Sequence, residues 1–217
     1  MPRSVAVVGE GAQRTWWGLT GAVAGALVVL QVGLVLSSGE PELGARLVRT
    51  LSYFTIDTNA LVAVLGLLVA LRPERSGAWW RALRLGAPLC IAIVGVVYHL
   101  ELRRAGLTGL DLVLDVGLHY VMPALAVGGW LALTPRGLAD AGTVLRVLVY
   151  PLAWCAWTAA HGAVTGWYPY PFLDVTQVGA GGAALGVLVV ALVLAVLATA
   201  AVVGDRAVAR RAVRSGG

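Results

Sequence analysis

Six apolar runs constrain this chain more than any other feature: about 15–36, 50–71, 82–102, 111–133, 144–166 and 180–203. At about 1.5 Å per helical residue, each is long enough to cross a hydrocarbon core of about 30 Å. The hydrophobic content of 59% is too high for a soluble domain of 217 residues, which needs more polar surface. Tails and loops are short, so residues 1–217 are expected to form one all-α polytopic domain, a bundle of six transmembrane helices. The first run follows Arg14, outlasts a signal-peptide core and has no small-residue cleavage site after Leu36, so it is expected to remain as a helix.

The basic residues are all arginines, and the net charge is +5. Arg3 and Arg14 precede the first run; Arg72, Arg75, Arg81 and Arg84 separate the second from the third. Arg136 and Arg146 separate the fourth from the fifth, and Arg206, Arg210, Arg211 and Arg214 follow the sixth. These segments share one side, and only Arg46, Arg49, Arg103 and Arg104 fall on the other. The positive-inside rule then puts both termini in the cytoplasm. The basicity serves topology and anionic lipid, and nucleic acid is not an expected partner. Cys90 and Cys155 fall inside runs without a second thiol at metal-binding spacing and read as small buried hydrophobes.

Gly21-x-x-x-Gly25 and Gly182-x-x-x-Gly186 let helix backbones approach closely. Pro88, Pro123 and Pro151 each remove a backbone donor within a run and can kink it. No internal repeat is evident, so an inverted-repeat transporter gains no support.

Ionisable groups inside hydrocarbon are costly and by default mark function. Asp111, Asp115 and His119 form an i, i+4, i+8 stripe on the fourth run, and a carboxylate one turn before a histidine can fix its tautomer and raise its basicity. On the second run Thr55 and Asn59 share a face, while Asp57 points elsewhere. Counted from the outer ends of their runs, Thr55 and His119 lie roughly 8 and 12 Å deep. His99, His119 and His161, the histidines of the chain, all fall in the outer half, next to the aromatic loop Trp167-Tyr168-Pro169-Tyr170-Pro171.

A catalytic set is therefore expected: Thr55 as nucleophile, His119 as base and Asp115 as the group that orients it. Asp57, Asn59, His99, His161, Trp167, Tyr168 and Tyr170 are candidate substrate-binding residues, with Asn59 a candidate oxyanion donor. Plainer readings stand beside this one. Thr55 can bond back to its own helix, Asp115 and His119 can be an interhelix staple, His99 and His161 can be interfacial, and the aromatics can be a membrane-interface belt. A metal held by His99, His119, His161 and Asp115 lacks any supporting ligand spacing, so no metal and no other cofactor is expected. A non-enzymatic carrier or lipid-binding protein, with Asp57, Asp115 and His119 relaying protons or holding a head group, is the alternative. Expected partners are a lipid or lipid ester and the membrane, and a homo-oligomer is compatible with the sequence.

The segments Leu51-Ser-Tyr-Phe-Thr-Ile-Asp-Thr-Asn59, Leu118-His-Tyr-Val-Met-Pro123 and Thr165-Gly-Trp-Tyr-Pro-Tyr-Pro-Phe-Leu-Asp174 resemble a bacterial group of six-span membrane proteins. That group is distantly similar to the androgen-induced family of membrane threonine hydrolases, which cleave fatty acid esters of hydroxy fatty acids. The resemblance implies a lipid-ester hydrolase of a bacterial cytoplasmic membrane, with Thr55 as nucleophile and His119 as its histidine. It departs at Asp115, where the eukaryotic pattern has asparagine, and at Val116, where it has a further histidine.

Overall fold

The computed structural model describes residues 9–215, and no strand occurs among them. The helices are α1 (Glu10–Ser37), α2 (Leu43–Leu51), α3 (Phe54–Leu71), α4 (Ala78–Val97), α5 (Gly109–Val116), α6 (Met122–Leu133), α7 (Ala141–Thr165) and α8 (Val175–Ser215). A π-helical turn, Tyr98–Leu102, prolongs α4. A second, Gly117–Val121, joins α5 to α6 as one crossing. Six segments are long and apolar enough to span a membrane: Glu10–Ser37, Phe54–Leu71, Ala78–Leu102, Gly109–Leu133, Ala141–Thr165 and Val175–Ala212. The chain is thus an all-α integral membrane protein. Six crossings return its two ends to one end of the bundle, called here the terminal end, and the opposite one is the distal end. Arg3 lies outside the described residues.

Two local features depart from the pattern of runs. A short amphipathic helix, α2, precedes the second run and enters it only at residues 50–51, and the chain breaks at Ser52 and Tyr53 before α3 begins. Thr55 therefore sits in the first turn of α3 and not five residues along it. In α8 the backbone is interrupted at Gly179, whose φ of 70° suits only glycine comfortably, so the crossing helix proper starts at about residue 180.

Packing follows the small residues. α1 lies along α3, and Gly21 and Gly66 face each other so closely that a Cβ on Gly66 would run into the α1 backbone. In lipid, where the surroundings are as apolar as the helix, such close approach is what holds helices together. Gly186 serves a different partner: a Cβ there would lie 3.0 Å from the Phe172 carbonyl oxygen, so it seats the 3₁₀ turn Pro171–Leu173. α4 is central and touches α3, α6, α7 and α8. Between α3 and α7 the contact is aromatic, Phe54 lying 5.5 Å from Tyr150 and 4.9 Å from Trp154, centroid to centroid. Held apart by these rings, the two helices leave room beside them at the distal end.

Candidate functional site

Pro123 has no N–H for the carbonyl four residues back, that of His119, and the preceding turn widens into the π-helical segment Gly117–Val121. Gly95 of α4 lets that carbonyl come close: a Cβ there would be 2.9 Å from His119 O. Nothing in the local sequence explains the second π-helical turn at Tyr98. The two wide turns nevertheless meet, a feature often found at functional sites. The rings of Tyr98 and His119 stack 3.7 Å apart and 12° from parallel.

Asp115 completes a unit with this pair. The Tyr98 hydroxyl donates a short hydrogen bond to the Asp115 carboxylate and accepts one from the Arg104 N–H at 3.3 Å. His119 Nδ1 lies 2.9 Å from the Asp115 backbone oxygen and 3.6 Å from its carboxylate. A carbonyl can only accept, so Nδ1 carries a proton, and in the neutral form of the ring Nε2 then presents a lone pair. Beside this unit, His99 Nδ1 and the Tyr120 hydroxyl are 3.2 Å apart.

Two hollows lie on opposite sides of the stacked rings. On one side, Tyr98 and Thr55 help line a narrow cavity of about 60 Å³. Its remaining wall is apolar, with Phe54, Ile93, Val97, Leu173 and Val187 among the contributors; the other polar groups are the Tyr170 hydroxyl, the Cys155 thiol and the Trp154 indole. On the other side, His119, His99 and Tyr120 stand over an open groove floored by Ala92, Gly95, Pro123, Ala124 and Val127.

Thr55 and His119 are not brought together. Among the described residues they share no hydrogen bond, and His119 does not line the cavity that Thr55 borders. The Tyr170 phenol instead lies beside the Thr55 hydroxyl and the first N–H groups of α3. Burial pushes the Tyr170 phenol up to about 12, so it remains a neutral hydroxyl. Asn59 Nδ2 donates to Thr55 O at 2.8 Å and reaches Leu118 O at 3.4 Å, so it bridges the start of α3 and the wide turn of the fourth crossing. With its amide so engaged and its Oδ1 buried without a partner, Asn59 ties helices together and is no oxyanion donor in this arrangement.

Elsewhere the expected binding residues separate. Asp57 is half-buried on α3, its carboxylate accepts no hydrogen bond among the described residues, and it borders neither hollow. His161 lies in an aromatic cap, stacked 5.5 Å from Trp157 and edge-on to Trp167, with its Nδ1 buried and unpartnered. Trp167 packs edge-on against Tyr53 under Arg49, and Tyr168 covers Gly162, where any side chain would strike its ring. Among the described residues no three His, Cys, Asp or Glu side chains converge as a metal site requires. Comparison with known proteins finds no matching family model, curated protein or solved structure.

Tyr98 is the functional candidate that sequence reasoning missed. Its signal was the pairing of Tyr98-His99 on one crossing with His119-Tyr120 on another, both near the same end.

Proposed function

We propose that the protein takes the acyl chain of a membrane lipid into the distal cavity, with the hydroxyls of Thr55, Tyr98 and Tyr170 meeting the polar end of the ligand. The carrying observation is the lining: a narrow apolar pocket whose few polar side chains are Thr55, Tyr98, Tyr170, Cys155 and Trp154, as a chain with a weakly polar head requires. The arginine distribution favours a site opening toward the outer leaflet. Cys155 borders the cavity while Cys90 is sealed in the core, so alkylation of Cys155 reports occupancy. In purified protein, palmitoyl-lysophospholipid is expected to slow alkylation of Cys155 by a small apolar maleimide at least fivefold. Val190→Trp, which fills the cavity, is expected to remove that dependence. Alkylation indifferent to the lipid would overturn the reading.

Hydrolysis is the second reading, favoured by Thr55 bordering the same cavity and by the resemblance to membrane threonine hydrolases. Thr55 Oγ would attack the ester carbonyl, the alcohol would leave, and water would release the acid from the acyl-threonine. Because His119 does not line the cavity, the threonine proton would pass through the Tyr98 hydroxyl to Asp115. Fatty acid release should then fall at least a hundredfold in Thr55→Ala and in Tyr98→Phe. Release that survives both Thr55→Ala and His119→Ala would remove hydrolysis and leave the binding reading standing.

A further inference from the structure

We propose that the groove behind the Tyr98–His119 stack is a second binding site, one that takes the hydroxyl head of a membrane alcohol by donation to His119 Nε2. The proton on Nδ1 is fixed by the Asp115 carbonyl, which leaves Nε2 as an acceptor. Nε2 has no hydrogen-bond partner, is not sealed from its surroundings, and belongs to a ring that lines this groove and not the cavity. An acceptor facing hydrocarbon selects a ligand that brings its own donor, since an ether or ester oxygen would meet it lone pair to lone pair.

The floor fits the remainder of such a molecule. From His119 to Val127 the groove follows the helix for about 12 Å over the small side chains Ala92, Gly95 and Ala124, with Pro123 between. Val96 and Leu100 at its rim are more than half exposed, so the groove opens sideways to where acyl chains lie in a membrane. His99 does not compete for the same role with equal geometry: it is exposed and its Nδ1 is engaged with Tyr120.

The test uses the full chain in lipid nanodiscs and two diazirine-bearing probes, hexadecanol and its methyl ether, in which one methyl group replaces the donor hydrogen. Peptide mapping is expected to find the alcohol on residues 92–100 and 119–127 about tenfold more often than the ether, the worth of one hydrogen bond. His119→Phe keeps a ring to stack on Tyr98 and should bring the alcohol down to the level of the ether. Equal labelling by the two probes in the unsubstituted protein overturns the proposal, whatever the variant does to folding. A preference that persists in His119→Phe, or that vanishes in His99→Phe instead, also overturns it. Cys155 alkylation, read in parallel, follows the cavity separately, so the two sites can fail independently.

Discussion

At the terminal end of the bundle, charged side chains close gaps between segments. Asp205, 6% exposed, accepts from the Gly137 N–H at 2.7 Å and pairs with Arg136 at 3.7 Å, clamping the α6–α7 loop to α8. Arg84 is as deeply buried and donates to Gln13 at 2.9 Å, while Arg14 donates to the Ala70 carbonyl oxygen at the end of α3 at 2.9 Å. At the distal end the polar groups sit instead on the walls of hollows: Thr55, Tyr98 and Tyr170 on one, His99, His119 and Tyr120 on the other. The same chemistry closes gaps between segments at one end and lines hollows at the other. The contrast teaches that a polar residue within a membrane span is informative through what it faces, not through its presence alone.

If the terminal end is held by buried charge, Asp205→Ala should have the largest effect, roughly 3 kcal/mol of destabilisation, because it strands Arg136 and the Gly137 N–H. A thermal melt in detergent reads it, and an unshifted midpoint would erase the contrast. Gly66→Val, which drives a side chain into α1, should cost roughly 2 kcal/mol by the same measurement. At the distal end Tyr98→Phe removes a hydroxyl but keeps the stacked ring, so a smaller loss of about 1 to 2 kcal/mol is expected.

The smallest effect concerns Asp140, the N-cap of α7, whose carboxylate accepts from the Thr143 hydroxyl at 2.9 Å and the Thr143 N–H at 2.7 Å. Those bonds, aided by Arg81 and Arg146, hold its carboxyl below the usual range. A group depressed on folding stabilises above its unfolded value, about 3.9, and that contribution is lost as pH falls through the folded value. The stability gap between the parent and Asp140→Ala should therefore be present at pH 6 and shrink at pH 3. A gap independent of pH would show that the carboxylate charge adds nothing.

Much of the architecture was legible because hydrocarbon leaves a chain few choices. Six long apolar runs became six crossings, and even the restart of the last near residue 180 matched its apolar pattern, with Gly179 supplying the break. α2 was hidden because its apolar residues run straight into those of α3, and only the extended backbone at Tyr53 separates them. The i, i+4 spacing of Asp115 and His119 did bring them close on one helix, but the ring nitrogen meets the Asp115 backbone oxygen while the carboxylate accepts from Tyr98. The partner across the bundle was not legible. Counting residues from run ends put Thr55 and His119 at similar depth, but depth does not fix rotation, and the two side chains line different hollows.

The sequence by itself determined that this chain lives in a membrane as six helices and that a carboxylate and an imidazole share one face of the fourth crossing, because period and hydropathy are local properties. Tertiary structure alone decided that the Tyr98 ring stacks on His119, that Tyr170 comes beside the Thr55 hydroxyl, and that Thr55 and His119 line separate hollows. Those outcomes depend on the rotation and height of one helix against another. They are set by where glycines permit contact and where a proline widens a turn, and a list of residues along one chain fixes neither rotation nor height.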